Sequence, residues 1–193
     1  MINQRDMMAV LNKHRGNAVV IPTMSAGAAW LDSSHLPARD VAISGAMGKA
    51  SSFALGVALS RPDLKVIIMD GDGSLEMNLG SMATIAGKHP ENFYHFVLEN
   101  GVYAITGGQP IPASGTISFS KIALGAGYAA AYEFDELEDF SLRIGDILKQ
   151  KGPVFVTVKV VPEIQNEPIG RRPRGTGRTI QVAMRDLHES LKS

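Results

Sequence analysis

The residues best suited to chemistry lie in two short segments. The first, Asp70-Gly71-Asp72-Gly73-Ser74, follows an apolar run over 65–69 and precedes Leu75, Leu79, Met82 and Ile85, which recur at helical spacing. Its glycines permit a tight turn and close approach of a ligand to the backbone, and the helix start offers unpaired N–H groups to an anion such as phosphate. Asp72 is a hard oxygen donor suited to magnesium, which takes one or two protein oxygens beside phosphate oxygens and water. A lone G-D-G also fits an ordinary turn in which the aspartate caps a helix. The second segment narrows that choice. Asn100 stands in Leu98-Glu99-Asn100-Gly101, at the end of the next predicted strand, with 26 residues between it and Gly73. Two neighbouring strands then carry oxygen donors to one point, where a phosphate and a metal could share a site.

The elements that must position these donors follow from hydrophobic pattern. A helix is expected over 3–14, and strands over 18–21, 41–44, 65–69, 93–98 and 154–161. Helices are expected over 48–60, after Gly73, over 121–131 and over 135–149. Strands separated by helix-length crossovers imply a parallel sheet covered on both faces, so the fold class is α/β: a three-layer α/β/α arrangement with a mainly parallel central sheet. In such a sheet ligands collect beyond the carboxyl ends of the strands, where Asp72 and Asn100 both fall. Residues 1–162 read as the binding domain. Residues 163–193 read as a polar arm followed by a C-terminal helix from about residue 179, packed on the same domain or on a partner.

Composition bounds the remaining possibilities. A chain of 193 residues with 45% hydrophobic and 20% charged side chains can bury a single core. Its 19 basic and 19 acidic residues cancel, so no overall field gathers nucleic acid. The absence of cysteine excludes disulfides, thiolate zinc sites, a cysteine nucleophile and cysteine-held iron-sulfur clusters in this chain. No basic-then-apolar leader or membrane-length apolar run is evident, so a soluble, cytoplasmic protein is expected.

The spaced pair of motifs resembles the thiamine diphosphate enzymes, whose diphosphate-binding domain carries G-D-G, a helix and a strand, and then an asparagine. The resemblance implies thiamine diphosphate and Mg2+ as cofactors. It assigns the metal to the side chains of Asp72 and Asn100 and the backbone carbonyl of Val102, with Gly71, Gly73 and Ser74 against the diphosphate. Gly45-Ala46-Met47-Gly48 looks like that family's G-x-hydrophobic-G turn. Met47 would then prop the cofactor into a bent shape, and the Gly45 carbonyl would accept from the aminopyrimidine. Thr23 and Ser25 match, more loosely, positions of small polar contacts to the diphosphate. Thr106-Gly107-Gly108-Gln109-Pro110 and Ile169-Gly170-Arg171-Arg172-Pro173 are similar to segments of phosphonopyruvate and sulfopyruvate decarboxylases, which act on 2-oxo acids with an anionic tail. Two departures are Glu99, where the family usually has a second asparagine, and residues 102–105.

In that family the glutamate that activates the cofactor comes from a different domain. All of this chain fits one diphosphate-binding domain, so the resemblance implies that no catalytic residue of that kind lies here. A separate pyrimidine-binding subunit would supply it, in a heterotetramer with two chains of each kind. The expected activity is decarboxylation of a small 2-oxo acid. Two alternatives stay open: an acetolactate synthase-like carboligase subunit, and a phosphate-binding regulatory module without catalysis. Arg171, Arg172, Arg174 and Arg178 form a basic run that could grip a phosphonate, sulfonate or carboxylate, or dock a subunit. The histidines, His14, His35, His89, His95 and His188, show no metal spacing. Ser25 and Ser114 lack a nucleophile motif.

Overall fold

Five segments form one parallel sheet: β1 (Val19–Pro22), β2 (Val66–Gly71), β3 (Phe93–Glu99), β6 (Ala130–Phe134) and β7 (Val154–Lys159), in the order β1-β2-β3-β7-β6. A two-residue antiparallel hairpin, β4 (Val102–Tyr103) and β5 (Gln109–Pro110), stands apart from it. The computed structural model describes residues 1–45, 47–168, 171 and 178–192.

Strands β1, β2, β3 and β7 are buried on both faces, which is why they read as continuous apolar runs. Along β3 the side chains alternate: Tyr94, Phe96 and Leu98 enter one core, Phe93 and Val97 the other. The first core packs against α1 (Gln4–His14), α2 (Met24–Ser33) and α7 (Leu137–Ile147) through Met7, Met8, Leu11, Trp30, Phe140 and Ile144. The second packs against α3 (Ala50–Ser60), α5 (Gly80–Lys88) and α6 (Phe119–Ala126), and takes Ala183 and Leu187 of α8 (Ile180–Ser190). This is the three-layer α/β/α arrangement expected. Each fully buried large apolar side chain contributes about 1.5–3 kcal/mol to holding the three layers together.

Four of the expected strands form β1, β2, β3 and β7. Residues 41–44 do not form a strand. The chain there makes two isolated bridges, Val20 to Asp40 and Thr23 to Ile43, and then turns at Gly45, whose φ is +75°. The fifth strand is instead β6, from a stretch partly assigned to a helix over 121–131. Gly127, at φ +106°, closes α6 by donating to the carbonyls of Ala123 and Leu124, and Tyr132 and Phe134 continue as strand. The helix expected after Gly73 is two: α4 (Asp72–Glu76) and α5. Helix α2, rich in small residues, was not anticipated.

After Arg171 the next described residue is Arg178, whose guanidinium donates to the Asp40 carbonyl at 2.9 Å and pairs with Asp186 at 3.1 Å. Arg61 and Arg39 hold the other end of α8 by donating to the carbonyls of Leu191 and Ser190. Most of the Ile169-to-Pro173 motif, with Arg172 and Arg174 of the basic run, lies outside the described residues. No helix among the described residues is long and apolar enough to cross a membrane.

Candidate functional site

Strand register brings the two motifs together. Gly71 of β2 pairs with Leu98 of β3, so the segments that leave these strands emerge side by side at the carboxyl edge of the sheet. Asp72, 2% exposed, begins α4 there. Its Oδ2 accepts the backbone N–H of Asn100 at 2.8 Å and of Gly101 at 2.6 Å, and its Oδ1 accepts the N–H of Gly73 at 2.8 Å. A carboxylate has about four lone-pair sites. Three are taken by the backbone, and one on Oδ1 remains.

Beside the hairpin that follows Asn100, further oxygens are left out of its ladder bonds. Its ladder bonds run to the carbonyls of Gly101 and Tyr103, which accept from Ile111 and Gly108. The peptide groups of Val102, between them, therefore face away from the hairpin. The Val102 N–H donates to Asn100 Oδ1 at 2.9 Å, which fixes the amide and leaves its oxygen a second lone pair. The Asn100 oxygen, the Val102 carbonyl and Asp72 Oδ1 are each hard oxygen donors, the type magnesium takes. Among the described residues no cluster of three or more histidine, aspartate or glutamate side chains could hold a metal, so any metal here rests on amide and carbonyl oxygens as well.

Gly73 is required by close approach. A Cβ built on it would lie 2.5 Å from Tyr103 Cε1 and 2.9 Å from Ile111 Cγ2. The turn before α3 is tied to α4: the N–H of Gly48, at φ +72°, donates to Ser74 Oγ at 3.1 Å, and Asn78 Nδ2 donates to the Gly48 carbonyl at 2.8 Å. These bonds fix where Met47 stands.

The resulting cleft, open to solvent, is lined by Ser25, Met47, Gly71, Asp72, Gly73, Ser74, Asn100 and Val102. Eight of the ten residues singled out from the sequence thus share one cavity. Thr23 does not line it. Its side chain is buried and donates to Asp70 Oδ1 at 3.4 Å. Gly45 is exposed at the turn and lies outside the lining. Met24, Tyr103, Ala104, Ile105 and Thr106 complete the wall; none of them was assigned to the site from the sequence, although Thr106 opens the segment similar to the decarboxylases and 103–105 lie in the departure noted there. Met24 is held at φ +50°, a strained conformation for a non-glycine residue, at the first position of α2.

Two neighbouring carboxyls here, Asp70 and Asp72, are buried and desolvated. Burial raises the Asp72 carboxyl above its ordinary range, against the three N–H groups that favour its ionised form. Burial likewise pushes Asp70 up to about 6, while hydrogen bonds from Ser74, Gly71 and Thr23 pull it down. A cation beside Asp72 would stabilise the ionised state of both.

Residues 23–158 match the family described as thiamine pyrophosphate enzyme, C-terminal TPP binding domain. Phosphonopyruvate decarboxylase of Streptomyces viridochromogenes is 41% identical over 118 residues, which cover 61% of this chain and 29% of that protein. Sulfopyruvate decarboxylase subunit beta of Methanocaldococcus jannaschii is 36% identical over 124 residues, covering 64% of this chain and 65% of that one. The chain thus spans under a third of the first relative and about two thirds of the second. In structure it resembles a thiamine diphosphate-dependent 4-hydroxybenzoylformate decarboxylase of Rhodococcus jostii, with a TM-score of 0.70 at 20% identity over 86% of this chain and 33% of that one. A family match spanning more than half of the residues, on a fold shared with such an enzyme, makes this chain a member of the thiamine pyrophosphate enzyme family, in its C-terminal TPP-binding domain.

Proposed function

We propose that this chain is the thiamine diphosphate- and Mg2+-binding subunit of a split 2-oxo acid decarboxylase of the sulfopyruvate and phosphonopyruvate type. The observation that carries the reading is the junction of Asp72 with Asn100: a carboxylate held by three backbone N–H groups, with one lone pair left, beside an amide oxygen fixed by Val102. Asp72, Asn100 and the Val102 carbonyl would hold the cation. Gly71, Gly73 and Ser74 would face the diphosphate, and Met47 would support the bend of the cofactor. When bound, thiamine diphosphate supplies the carbon nucleophile and the electron sink that decarboxylation of a 2-oxo acid requires.

The protein's part is to bind and orient. Ser74 Oγ accepts from the Gly48 N–H, which ties the α4 start to the Met47 turn. Tyr103, lying over Gly73, excludes water from one side of the diphosphate position. The decarboxylase names of the relatives favour this chemistry over carboligation, and the relative named as a beta subunit favours a partner chain. The partner would be a pyrimidine-binding subunit, in a heterotetramer with two chains of each kind, in the cytoplasm. In this reading residues 1–162 form the binding domain and residues 163–193 an arm and helix. Of the basic run, exposed Arg171 stands after β7, and an anionic tail on the substrate is the chemistry it suits.

Calorimetry with thiamine diphosphate, Mg2+ and a pyrimidine-binding partner subunit tests the reading. Binding that requires the metal, and CO2 release from a 2-oxo acid only when both chains are present, are the expected results. No binding even in the mixture refutes it.

A further inference from the structure

Glu76 closes α4, one helical turn after Asp72, and residues four apart on a helix share a face. Both of its carboxylate oxygens are buried, and neither has a hydrogen-bond partner among the described residues. None of the ion pairs among those residues involves it. Burial raises its carboxyl above the ordinary range, and the negative charge of Asp72 raises it further. The two carboxylates therefore feel each other. A buried carboxylate without a partner is costly, and structures remove that cost with a proton or a counter-charge.

The counter-charge that the proposed function brings to this face is the divalent cation at Asp72. On that reading we propose that Glu76 is a positioning residue for the cation, holding through water the ion that Asp72 would ligate, and that its charge makes cofactor binding depend on the metal. The electrostatics give the proposal a two-sided signature. A negative charge near the site attracts a divalent ion and repels a diphosphate. Removing it should weaken the ion and relieve the metal-free cofactor, so the advantage that metal gives the cofactor shrinks from both directions. A charge matched by a cation of the partner subunit would instead affect assembly alone.

The test uses the full chain assembled with its partner. Mn2+ affinity is read from the free-ion electron paramagnetic resonance signal in the presence of thiamine diphosphate. Cofactor affinity is read by calorimetry with and without Mg2+. Glu76→Gln keeps the shape and removes the charge, and Glu76→Leu also removes the polar atoms. Both should weaken Mn2+ about tenfold, in the range that outer groups contribute at metal sites, and reduce the Mg2+ enhancement of cofactor binding by a similar factor. Unchanged Mn2+ affinity and unchanged enhancement overturn the proposal, including when assembly alone is weakened. Wild-type protein that takes up neither Mn2+ nor cofactor overturns the functional reading beneath it, and the proposal with it.

Discussion

Tyr103 lies so close over Gly73 that a methyl group on the glycine would come within 2.5 Å of the ring. The two residues belong to different motifs, one opening α4 and the other ending β4, and their contact sets the spacing between the two halves of the site. Gly73→Ala should therefore lower stability by about 1–3 kcal/mol, the usual cost of overpacking, and reduce cofactor affinity at the same time. Urea denaturation and calorimetry check both. In a Tyr103→Ala background the same substitution should cost less, because the nearest obstacle is gone.

Asn100 and Asp72 should separate binding from folding. Asn100→Ala removes only the amide that accepts from Val102, and the backbone N–H of residue 100 still reaches Asp72. Stability should fall by about 1 kcal/mol, while Mg2+-dependent binding of thiamine diphosphate falls at least tenfold. Asp72→Ala strands three N–H donors, of Gly73, Asn100 and Gly101, and should cost at least about 2 kcal/mol in addition to abolishing metal dependence.

The segment that leads to the Met47 turn depends on a buried ion pair. Arg15 and Asp40 meet at 2.7 Å with both side chains fully buried, and Arg15 also donates to Ser34 and to the Ala18 carbonyl. Asp40→Ala leaves a buried guanidinium uncompensated and should cost about 3–5 kcal/mol in chemical denaturation. Asp146→Ala, which removes an exposed partner of Lys149, should leave the transition where it was.

Two buried groups oppose each other in the acid range. Burial pushes His95 down to about 3, so the unfolded chain takes its proton first, and the stability this group gives above about 6.5 is lost as pH falls. Asp70, raised to about 6, behaves in the opposite sense: the stability it contributes at low pH is lost as pH rises through 6. In metal-free protein the two nearly cancel between about pH 4 and pH 6. In His95→Gln the cancellation ends. The stability of wild type minus that of the variant should rise with pH across this window by about 1.4 kcal/mol per unit, measured by denaturation at fixed ionic strength.

Much of the site was legible in the sequence because its geometry follows from strand order. Once β2 and β3 are neighbours in a parallel sheet, Asp72 and Asn100 must emerge together, and glycines mark where backbone approaches. The side of the cleft built by long-range packing was not legible. Nothing local says that Tyr103 covers Gly73, that Met24 enters α2 at positive φ, or that the carboxylate oxygens of Glu76 are buried without a partner. The strand errors have the same origin. Residues 41–44 have strand composition, but Gly45 turns the chain before a ladder can form. The helical pattern expected over 121–131 is broken at Gly127, and tertiary pairing with β7 makes residues 130–134 a strand.

The central claim is that one divalent cation joins Asp72, Asn100 and Val102 to a diphosphate. A crystal structure of the assembled protein with thiamine diphosphate and Mn2+ tests it most directly, through the anomalous signal of the metal. The account predicts a single peak within ligand distance of Asp72 Oδ1, Asn100 Oδ1 and the Val102 carbonyl. A cofactor bound with no peak there, or a peak held by other residues, would contradict it.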